Sequence, residues 1–307
     1  MQRRLFSLML LMVMVAAAGC SSQVAKAPVF SKSGKVKVAT SFWPMYEFTQ
    51  AVGGDKIDLV NMVPSGTEPH DWEPTSQHLK TLNEANLFVY NGVGMEQWVG
   101  KTLASLDNKQ LVVVETAKGL DLMKGDEGGQ SGTDPHVWLD PQNAIRQVQA
   151  IRDGLIQVDP AHQDAYRQNA AAYVAQLQQL DQEYQQSLAN CTQKRFFTSH
   201  AAFGYLARRY GLEQHAIMGL APDAEPTAQD LARIVAQAKA DHVKYIFFET
   251  LVSDKVSRMV AGEIGAKTLV LNPFEGLTDN DLKAGKNYLS VMRENLTNLK
   301  TALECGN

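Results

Sequence analysis

The sequence predicts an α/β fold of two lobes, each with a mostly parallel sheet flanked by helices, joined by a long rigid helix. Short apolar segments alternate with helical segments in both halves of the chain, which is typical of parallel sheets with helical crossovers. A helical stripe of apolar residues at 161–189 lies between the two halves. About 270 residues remain after the first 35, which is enough for two lobes rather than one core.

The first 35 residues are predicted to stand outside the fold. A basic start precedes an apolar run that closes on Ala-Ala-Gly-Cys at 17–20, which predicts an export signal at 1–19. The run is too short to be a good membrane-spanning helix. A cysteine after Ala-Ala-Gly resembles the lipobox of bacterial lipoproteins, and this resemblance implies cleavage before Cys20 and lipidation of its sulfur. The alternative is a plain secretory signal. Residues 20–35 are small and polar, so they predict a tether to a lipid-anchored end.

Charge and cysteine usage limit the classes of partner. The formal net charge is −4 and no basic stripe is present, which argues against a nucleic-acid partner. Beyond Cys20 the chain has Cys191 and Cys305, and an even pair in an exported protein predicts a disulfide. Two free thiols are the alternative, because sequence does not show whether the two Cα atoms approach.

The first lobe is expected at 36–158, where apolar strands alternate with helices. Glycines at 53–54 end the first helix, and Thr75 or Ser76 is placed to cap the second. The polar segment 124–133 predicts a flexible loop. The predicted strands are 36–40, 56–63, 87–90 and 111–114, and the predicted helices begin at 41, 75, 95 and 142.

A connecting helix is expected at 159–190 and a second lobe at 191–307. Pro160 separates the connector from the helix before it, and Gly211 and Gly265 end two helices of the second lobe. The strands predicted here are 194–198, 245–249 and 267–271, and the helices are 201–210, 227–240, 254–264 and 280–303.

Two loops share one pattern, an acid and a proline before a histidine and a tryptophan two residues after it. The copies lie at 68–74 and 134–141 and contain His70 and His136. Proline fixes its own backbone and biases the residue before it towards an extended form, so each histidine lies on a stiff loop. A single copy would be read as an ordinary surface histidine. Two matching copies indicate metal ligands, which need such rigid mounts.

His200 and Glu275 follow predicted strands of the second half, as His70 and His136 follow strands of the first. Ligands of open α/β sheets collect beyond the carboxyl ends of strands, so a cleft between lobes would bring all four side chains together. Three imidazoles and one carboxylate suit a tetrahedral Zn²⁺, whereas more carboxylates would favour Mn²⁺. Four protein ligands leave no open position, which describes a site that holds the ion rather than a catalytic one.

Several further residues are candidates for supporting roles. Glu249 ends a buried strand and is interpreted as a carboxylate behind the ligands, with fourth ligand as the alternative. Asp71 and Asp134 either orient imidazoles or begin turns. Trp72 and Trp138 either wall the site or fill the core. The remaining histidines are expected to be solvated or to cap helices: His78, His162, His215 and His242.

The segments 66–71, 134–139, 198–205 and 271–278 resemble the metal-binding solute proteins of bacterial ABC importers, the zinc/manganese or cluster 9 family. The zinc-binding lipoprotein type of Gram-positive bacteria is the most similar, and the resemblance spans nearly the whole mature chain. It implies two α/β lobes, a rigid connecting helix, and one metal between the lobes. It also implies a ligand set: His70, His136, His200 and Glu275.

Two comparisons within that family bear on the metal. Zinc-binding relatives often carry a histidine-rich acidic loop before the second ligand, but here 124–133 contains Asp126 and Glu127 and no histidine. Manganese-type relatives have a carboxylate as third ligand and an aspartate as fourth. His200 and Glu275 occupy those places here, which favours zinc.

The resemblance implies a monomeric zinc-binding lipoprotein on the extracytoplasmic face of the cell membrane, which captures Zn²⁺ and delivers it to an ABC transporter permease. A manganese-specific protein of the same family is the first alternative. A zinc-dependent hydrolase is the second, but the sequence has no His-Glu-x-x-His pattern and Glu275 would fill the position that water needs. An adhesin, a label sometimes given to this family, is a third; no feature of the sequence indicates an adhesive surface.

Overall fold

The computed structural model describes residues 27–127, 130–222 and 226–306. The predicted signal at 1–19, Cys20 and the first part of the tether lie outside the described residues. Among the helices that the structure describes, none has both the length and the apolar character needed to cross a bilayer.

The first half of the chain forms a parallel sheet in the order β2-β1-β3-β4. Helices connect its strands, because parallel neighbours require a crossover. The elements are β1 (Val36–Thr40), α1 (Trp43–Gly53), β2 (Ile57–Asn61), α2 (Ser76–Glu84), β3 (Leu87–Tyr90), α3 (Val99–Ser105) and β4 (Val112–Glu115).

Three elements separate this sheet from the second one: a small hairpin and two helices. They are β5 (Lys124–Glu127) with β6 (Gln130–Thr133), then α4 (Pro141–Val158) and α5 (Gln163–Leu188). The second sheet is also parallel, in the order β10-β9-β7-β8. Its elements are β7 (Arg195–Thr198), α6 (Gly204–Tyr210), β8 (Glu213–Ala216), α7 (Ala228–Ala240), β9 (Tyr245–Phe248), α8 (Lys255–Ile264), β10 (Lys267–Val270), α9 (Asp279–Lys283) and α10 (Tyr288–Ala302).

Two parallel sheets flanked by helices, with a long helix between them, confirm the predicted fold class. Helix α5 packs against α1, α4 and α10 and thus touches both halves. Its buried stripe includes Tyr166, Leu177 and Tyr184. The Tyr184 hydroxyl donates to the carbonyl of Met292 in α10 over 2.6 Å. The connector is therefore part of the packed interior.

The two halves of the chain share part of their buried core. A single cluster of buried side chains runs from Val38 and Phe42 in the first half to Phe196 and Leu271 in the second. The cluster is continuous because the apolar stripes of α1, α4 and α5 are buried between the sheets. Smaller clusters cover the far face of each sheet. The shared core holds the strand ends of both sheets in a fixed relation.

Two local predictions are wrong, and one strand is missing from the predictions. Residues 124–127 and 130–133, predicted as part of a flexible loop, form two antiparallel strands, with Lys124 opposite Thr133. Strand β8 was not predicted, because it is an edge strand with one neighbour and carries polar side chains. The predicted helix at 280–303 is two helices, since Gly285 takes a left-handed backbone (φ +68°) and Asn287 caps α10 anew.

Cys191 and Cys305 form a disulfide in the structure. The two residues pair as an antiparallel bridge just before β7 and just after α10. The cross-link therefore attaches the end of the chain to the start of the second sheet.

Replacing both cysteines with serine is expected to lower the free energy of unfolding by roughly 2–5 kcal/mol, because the cross-link restricts the unfolded chain. The two residues are 114 apart in sequence, so the closed loop is long. Urea denaturation of the zinc-free protein measures the effect. Reduced wild-type protein is the control that separates the bond from the substitution. An unchanged urea midpoint in both samples would contradict a stabilising role for the bridge.

Candidate metal centre

His70 lies on the irregular segment between β2 and α2, and Glu68 shapes its loop. Glu68 Oε1 accepts a hydrogen bond from the His70 backbone N–H over 2.9 Å. The Gly66 N–H donates to the carbonyl of Leu277 over 3.0 Å, which attaches this segment to the second half of the chain. The loop that presents His70 is thus tied at its start to the loop that presents Glu275.

His136 begins a short 3₁₀ turn, and its imidazole is held from behind by Asp134. Asp134 Oδ1 accepts from the His136 backbone N–H over 2.9 Å and lies 2.8 Å from Nδ1 of the ring. A carboxylate at Nδ1 fixes the ring and leaves Nε2 free to bind a metal ion. The geometry agrees with the predicted orienting role of Asp134.

His200 follows β7, and Glu249, which follows β9, lies behind it in the same way. Glu249 Oε2 is 2.7 Å from Nδ1 of His200, and Oε1 accepts from the His200 backbone N–H over 3.2 Å. The hydroxyl of Ser199 donates to the same carboxylate. Glu249 therefore contacts the side of the ring opposite Nε2, which fits a supporting role rather than that of a fourth ligand.

Glu275 lies beyond β10 on a turn with a specific backbone conformation. Phe274 is left-handed (φ +60°), and its N–H donates to Asn272 Oδ1 over 2.8 Å. The Trp138 indole donates to the carbonyl of Pro273 over 2.8 Å. Trp138 is fully buried, so it fills the core and also holds the loop of Glu275.

The four candidate ligands converge on one point. Glu275 Oε1 lies 3.1 Å from Nε2 of His136 and 3.5 Å from Nε2 of both His70 and His200. Nε2 of His136 lies 3.3 Å from the same atom of His70 and of His200. Four ligands about 2.0–2.1 Å from a central ion form a tetrahedron with edges of about 3.3 Å. The spacing therefore matches a tetrahedral ion of the size of Zn²⁺.

Burial and charge also suit a cation. The side chains of His136 and His200 are fully buried, Glu275 is 1% exposed and His70 is 9% exposed. Burial would raise the pKa of Glu275, but attraction from His200 and hydrogen bonds from the histidines hold it well below its usual range. A buried carboxylate that stays ionised is a strong ligand for a divalent cation.

The histidines differ in how they hold protons. Burial alone would lower the pKa of His200, but Glu249 and Glu275 raise it well above its usual value. Burial alone would also lower the pKa of His136. Hydrogen bonds with Asp134 and Glu275 outweigh burial, so the pKa of His136 is raised. The pKa of His70 is lowered, mainly by burial. Competition between protons and a metal ion is therefore expected to be stronger at His136 and His200 than at His70.

Sequence reasoning missed Glu68 and chose Asp71 instead. Both residues line a cavity of about 670 Å³ beside the site, but Asp71 is exposed whereas Glu68 is partly buried. Burial, with repulsion from Glu275, raises the pKa of Glu68 to about 8. The repeated motif could have identified Glu68 from the sequence, because Glu68 precedes His70 by two residues as Asp134 precedes His136.

The other histidines lie outside the cluster. His78 and Thr75 form the capping box of α2, which confirms the capping role predicted for His78. His162 precedes α5, and its Nδ1 lies 2.7 Å from Asp159. His215 does not lie beside a helix end: it belongs to β8, where its ring stacks on Phe197 with centroids 5.0 Å apart. His242 follows α7 with a left-handed backbone. Trp72 packs against His78 and Trp98 rather than against the ligands.

Two parallel sheets that share a core, with a buried three-histidine, one-carboxylate cluster at their strand ends, define a metal-binding solute protein. Comparison with known proteins identifies the class more narrowly. The model of the ZnuA family, described as the periplasmic component A of a zinc-uptake complex, matches residues 38–302. The chain belongs to this family.

Sequence relatives agree on zinc. The high-affinity zinc uptake system protein ZnuA of Bacillus subtilis is 42% identical over 297 residues, which cover 93% of each chain. The zinc-binding lipoprotein AdcA of Streptococcus pneumoniae is 43% identical over 87% of this chain, and the match spans 56% of that longer protein. The chain thus spans a little over half of its AdcA relatives.

Solved structures agree on the fold. The Zn(II)-bound ZnuA-like domain of S. pneumoniae AdcA is 44% identical with a TM-score of 0.78, covering 88% of this chain and 100% of that one. A laminin-binding protein of Streptococcus agalactiae, described as a bifunctional adhesin and metal transporter, is 36% identical with a TM-score of 0.80, over 88% and 99%. The predictions of the family, of zinc as the metal and of a solute-binding component of zinc uptake rather than an enzyme are confirmed.

Replacing Glu249 with glutamine is expected to weaken zinc binding about 10- to 100-fold, because the carboxylate behind His200 is lost while the side-chain volume is kept. Competition with a chromophoric zinc chelator measures the change. Glu183→Gln is the matched control, since Glu183 pairs with Arg293 away from the cluster. Equal affinities for the two variants would mean that Glu249 does not support the site.

Proposed function

We propose that this protein captures Zn²⁺ outside the cytoplasm with His70, His136, His200 and Glu275, and delivers the ion to an ABC transporter permease. The observation that carries the proposal is the convergence of these side chains: the distances from Glu275 Oε1 to the three Nε2 atoms are 3.1–3.5 Å. The relatives named as zinc-uptake and zinc-binding proteins support the same cargo.

The donor set favours zinc over manganese. Three imidazole nitrogens and one carboxylate suit a borderline ion in a four-coordinate site, whereas Mn²⁺ prefers more oxygen ligands and a higher coordination number. Four protein ligands also fill every position of a tetrahedral ion. A water molecule that could attack a substrate has no position in such a shell, so the site stores the ion and releases it intact.

The anchor is the second part of the proposal. Cleavage before Cys20 and lipidation of its sulfur would hold a monomer at the outer surface of the cell membrane, with residues 20–35 as the tether. The lipobox-like Ala-Ala-Gly-Cys supports this, as does the name lipoprotein given to relatives. The proposed lobes at 36–158 and 191–307 flank the connecting helix at 159–190. Cys20→Ser is expected to shift the protein from the membrane fraction to the medium or periplasm; a membrane-bound variant would contradict the anchor.

Zinc uptake by cells whose own copy has been deleted tests the transport function. Wild-type protein is expected to restore ⁶⁵Zn accumulation under zinc limitation, and His136→Ala, present at the same level, is expected to fail. Restoration by both proteins would contradict capture through this cluster. The zinc-loaded protein is also assayed against ester and phosphate substrates. Turnover that disappears in Glu275→Ala would favour the hydrolase.

A further inference from the structure

Tyr205 is a fully buried residue of α6 whose hydroxyl joins two backbone groups of the first half of the chain. Its Oη accepts a hydrogen bond from the N–H of Met123 and donates one to the carbonyl of Asp134, both over 2.9 Å. Burial raises the pKa of Tyr205 to about 12, so the hydroxyl keeps its proton and remains a donor at neutral pH. Both partners are backbone groups, so the hydroxyl does not bond directly to any of the four candidate ligands.

The hydroxyl replaces one rung of the β5–β6 hairpin. Lys124 is opposite Thr133, so Met123 is opposite Asp134 one step further along. Residues in a hydrogen-bonded antiparallel pair normally exchange two bonds. The Asp134 N–H does donate to the Met123 carbonyl over 2.9 Å, but the Tyr205 hydroxyl takes both groups of the second bond. The base of the hairpin therefore closes on a side chain from the other half of the protein.

Asp134 transmits this constraint to the metal site. Its carboxylate oxygen Oδ1 accepts a hydrogen bond from the backbone N–H of His136 and a second one from Nδ1 of the same residue. Its other oxygen, Oδ2, lies against Gly204, where an added Cβ would be only 2.8 Å away. The carboxylate is thus enclosed between His136 and the first residue of α6.

Helix α6 begins four residues after His200, so Tyr205 connects the chain segment of one ligand to that of another. Nε2 of His136 and Nε2 of His200 are 3.3 Å apart. A tetrahedral zinc site tolerates only small changes in this distance. Arg209 supports the same contact, because its guanidinium forms a two-point ion pair with Asp140 at 2.8–3.0 Å.

We propose that Tyr205 is a positioning residue that sets the spacing of His136 and His200 through its hydroxyl, by way of the Met123–Asp134 pair. The proposal rests on the zinc site proposed above and gives a role to a residue outside the ligand set. Removing the hydroxyl leaves two buried backbone groups without this partner and frees the Asp134 carboxylate to shift. Groups that hydrogen-bond to metal ligands commonly change metal affinity by about 10- to 100-fold, and Asp134, which Tyr205 holds, is such a group.

Tyr205→Phe tests the proposal against Tyr184→Phe, which removes an equally buried hydroxyl whose partner, the carbonyl of Met292, lies away from the cluster. Zinc affinity is expected to fall about tenfold or more in Tyr205→Phe and by less than about twofold in Tyr184→Phe. The visible spectrum of the Co²⁺-substituted protein is a second measurement, because its band positions and intensities report the ligand geometry. The spectrum should change only in Tyr205→Phe.

A double-mutant cycle with Asp134→Asn shows whether Tyr205 acts through Asp134. The two effects are expected to be far from additive, since they interrupt one chain of contacts. Gly204→Ala provides an independent variant if Tyr205→Phe does not fold: it keeps the hydroxyl, places a methyl group against Asp134 and is expected to weaken zinc binding too.

Two outcomes overturn the proposal. A Tyr205→Phe protein that is less stable but keeps the zinc affinity and the Co²⁺ spectrum of the wild type would show a purely structural role. Additive effects in the cycle would show that Tyr205 does not act through Asp134. His136→Ala, measured alongside, separates this failure from that of the zinc site itself: if it also binds zinc normally, the proposed site is wrong, whatever Tyr205 does.

Discussion

Replacing His200 with alanine is expected to weaken zinc binding about 100- to 1,000-fold. Four-ligand zinc sites are stabilised by about 10–16 kcal/mol in total, so the loss of one ligand removes several kcal/mol. The substitution also leaves Glu249 buried without the imidazole that faces it. An uncompensated buried carboxylate adds to the cost of forming the site. His136→Ala should behave similarly, because Asp134 would lose its partner in the same way.

Competition titration against chelators of known zinc affinity measures this loss. His215→Ala is the matched control, since His215 is a partly buried histidine of the same half that stacks on Phe197 instead of joining the cluster. The control is expected to bind zinc like the wild type. If His200→Ala and His136→Ala both kept wild-type affinity, neither residue would be a ligand.

Lowering the pH from about 8 to about 5 is expected to release bound zinc, because protons compete with the ion for imidazole nitrogens. In the metal-free cluster the pKa values of His136 and His200 are raised above the usual histidine pKa of about 6.5. Both rings therefore keep their protons to a higher pH than a free histidine does. The association constant should fall by up to about two decades per pH unit below both raised values. His70, with its lowered pKa, adds a third proton only at lower pH. Glu275 stays ionised throughout, since its pKa is depressed.

Calorimetry in two buffers of different ionisation enthalpy counts the protons displaced by each zinc ion. Protons are expected to be released on zinc binding, and their number should rise as the pH falls, with His70 the last ring to gain a proton. His136→Ala should lower the count, because one ring with a raised pKa is lost. An affinity that stays flat over the whole range, or binding without proton release, would contradict a site of three histidines.

The four side chains that cluster could be predicted because their positions follow from local rules. The repeated acid-Pro-His-x-Trp motif marks His70 and His136, and strand ends mark His200 and Glu275. The supporting carboxylates were harder. Glu249 ends a strand and is predicted from that position, whereas the sequence analysis names Asp71 and not Glu68. Both residues lie on an irregular loop, where side-chain direction has no fixed period, and only the folded loop shows that Glu68 accepts from the His70 N–H.

The elements that sequence predicted are those with strong apolar patterns. Buried strands such as β1 and β9 and the long stripe of α5 were predicted correctly within a few residues. Strand β8 and the hairpin β5–β6 were not, because both carry polar side chains and lack the apolar pattern of a buried strand. The continuous core depends on how α5 packs against both halves, which no local pattern records.

The role proposed for Tyr205 likewise depends on the folded chain more than on any local sequence pattern. Its place in the segment 198–205 marked it as part of a motif, but its ring alone predicts only a core residue. Its partners, Met123 and Asp134, are 82 and 71 residues away in the sequence. Long-range hydrogen bonds of this kind are visible only in the folded chain.

A crystal of the zinc-loaded protein, measured on both sides of the zinc absorption edge, tests the central claim most directly. We expect one strong anomalous peak about 2.0–2.2 Å from Nε2 of His70, His136 and His200 and from a carboxylate oxygen of Glu275, with no water bound to the ion. A peak that excludes Glu275 or His70, or an ion that keeps a bound water in its fourth position, would contradict the account.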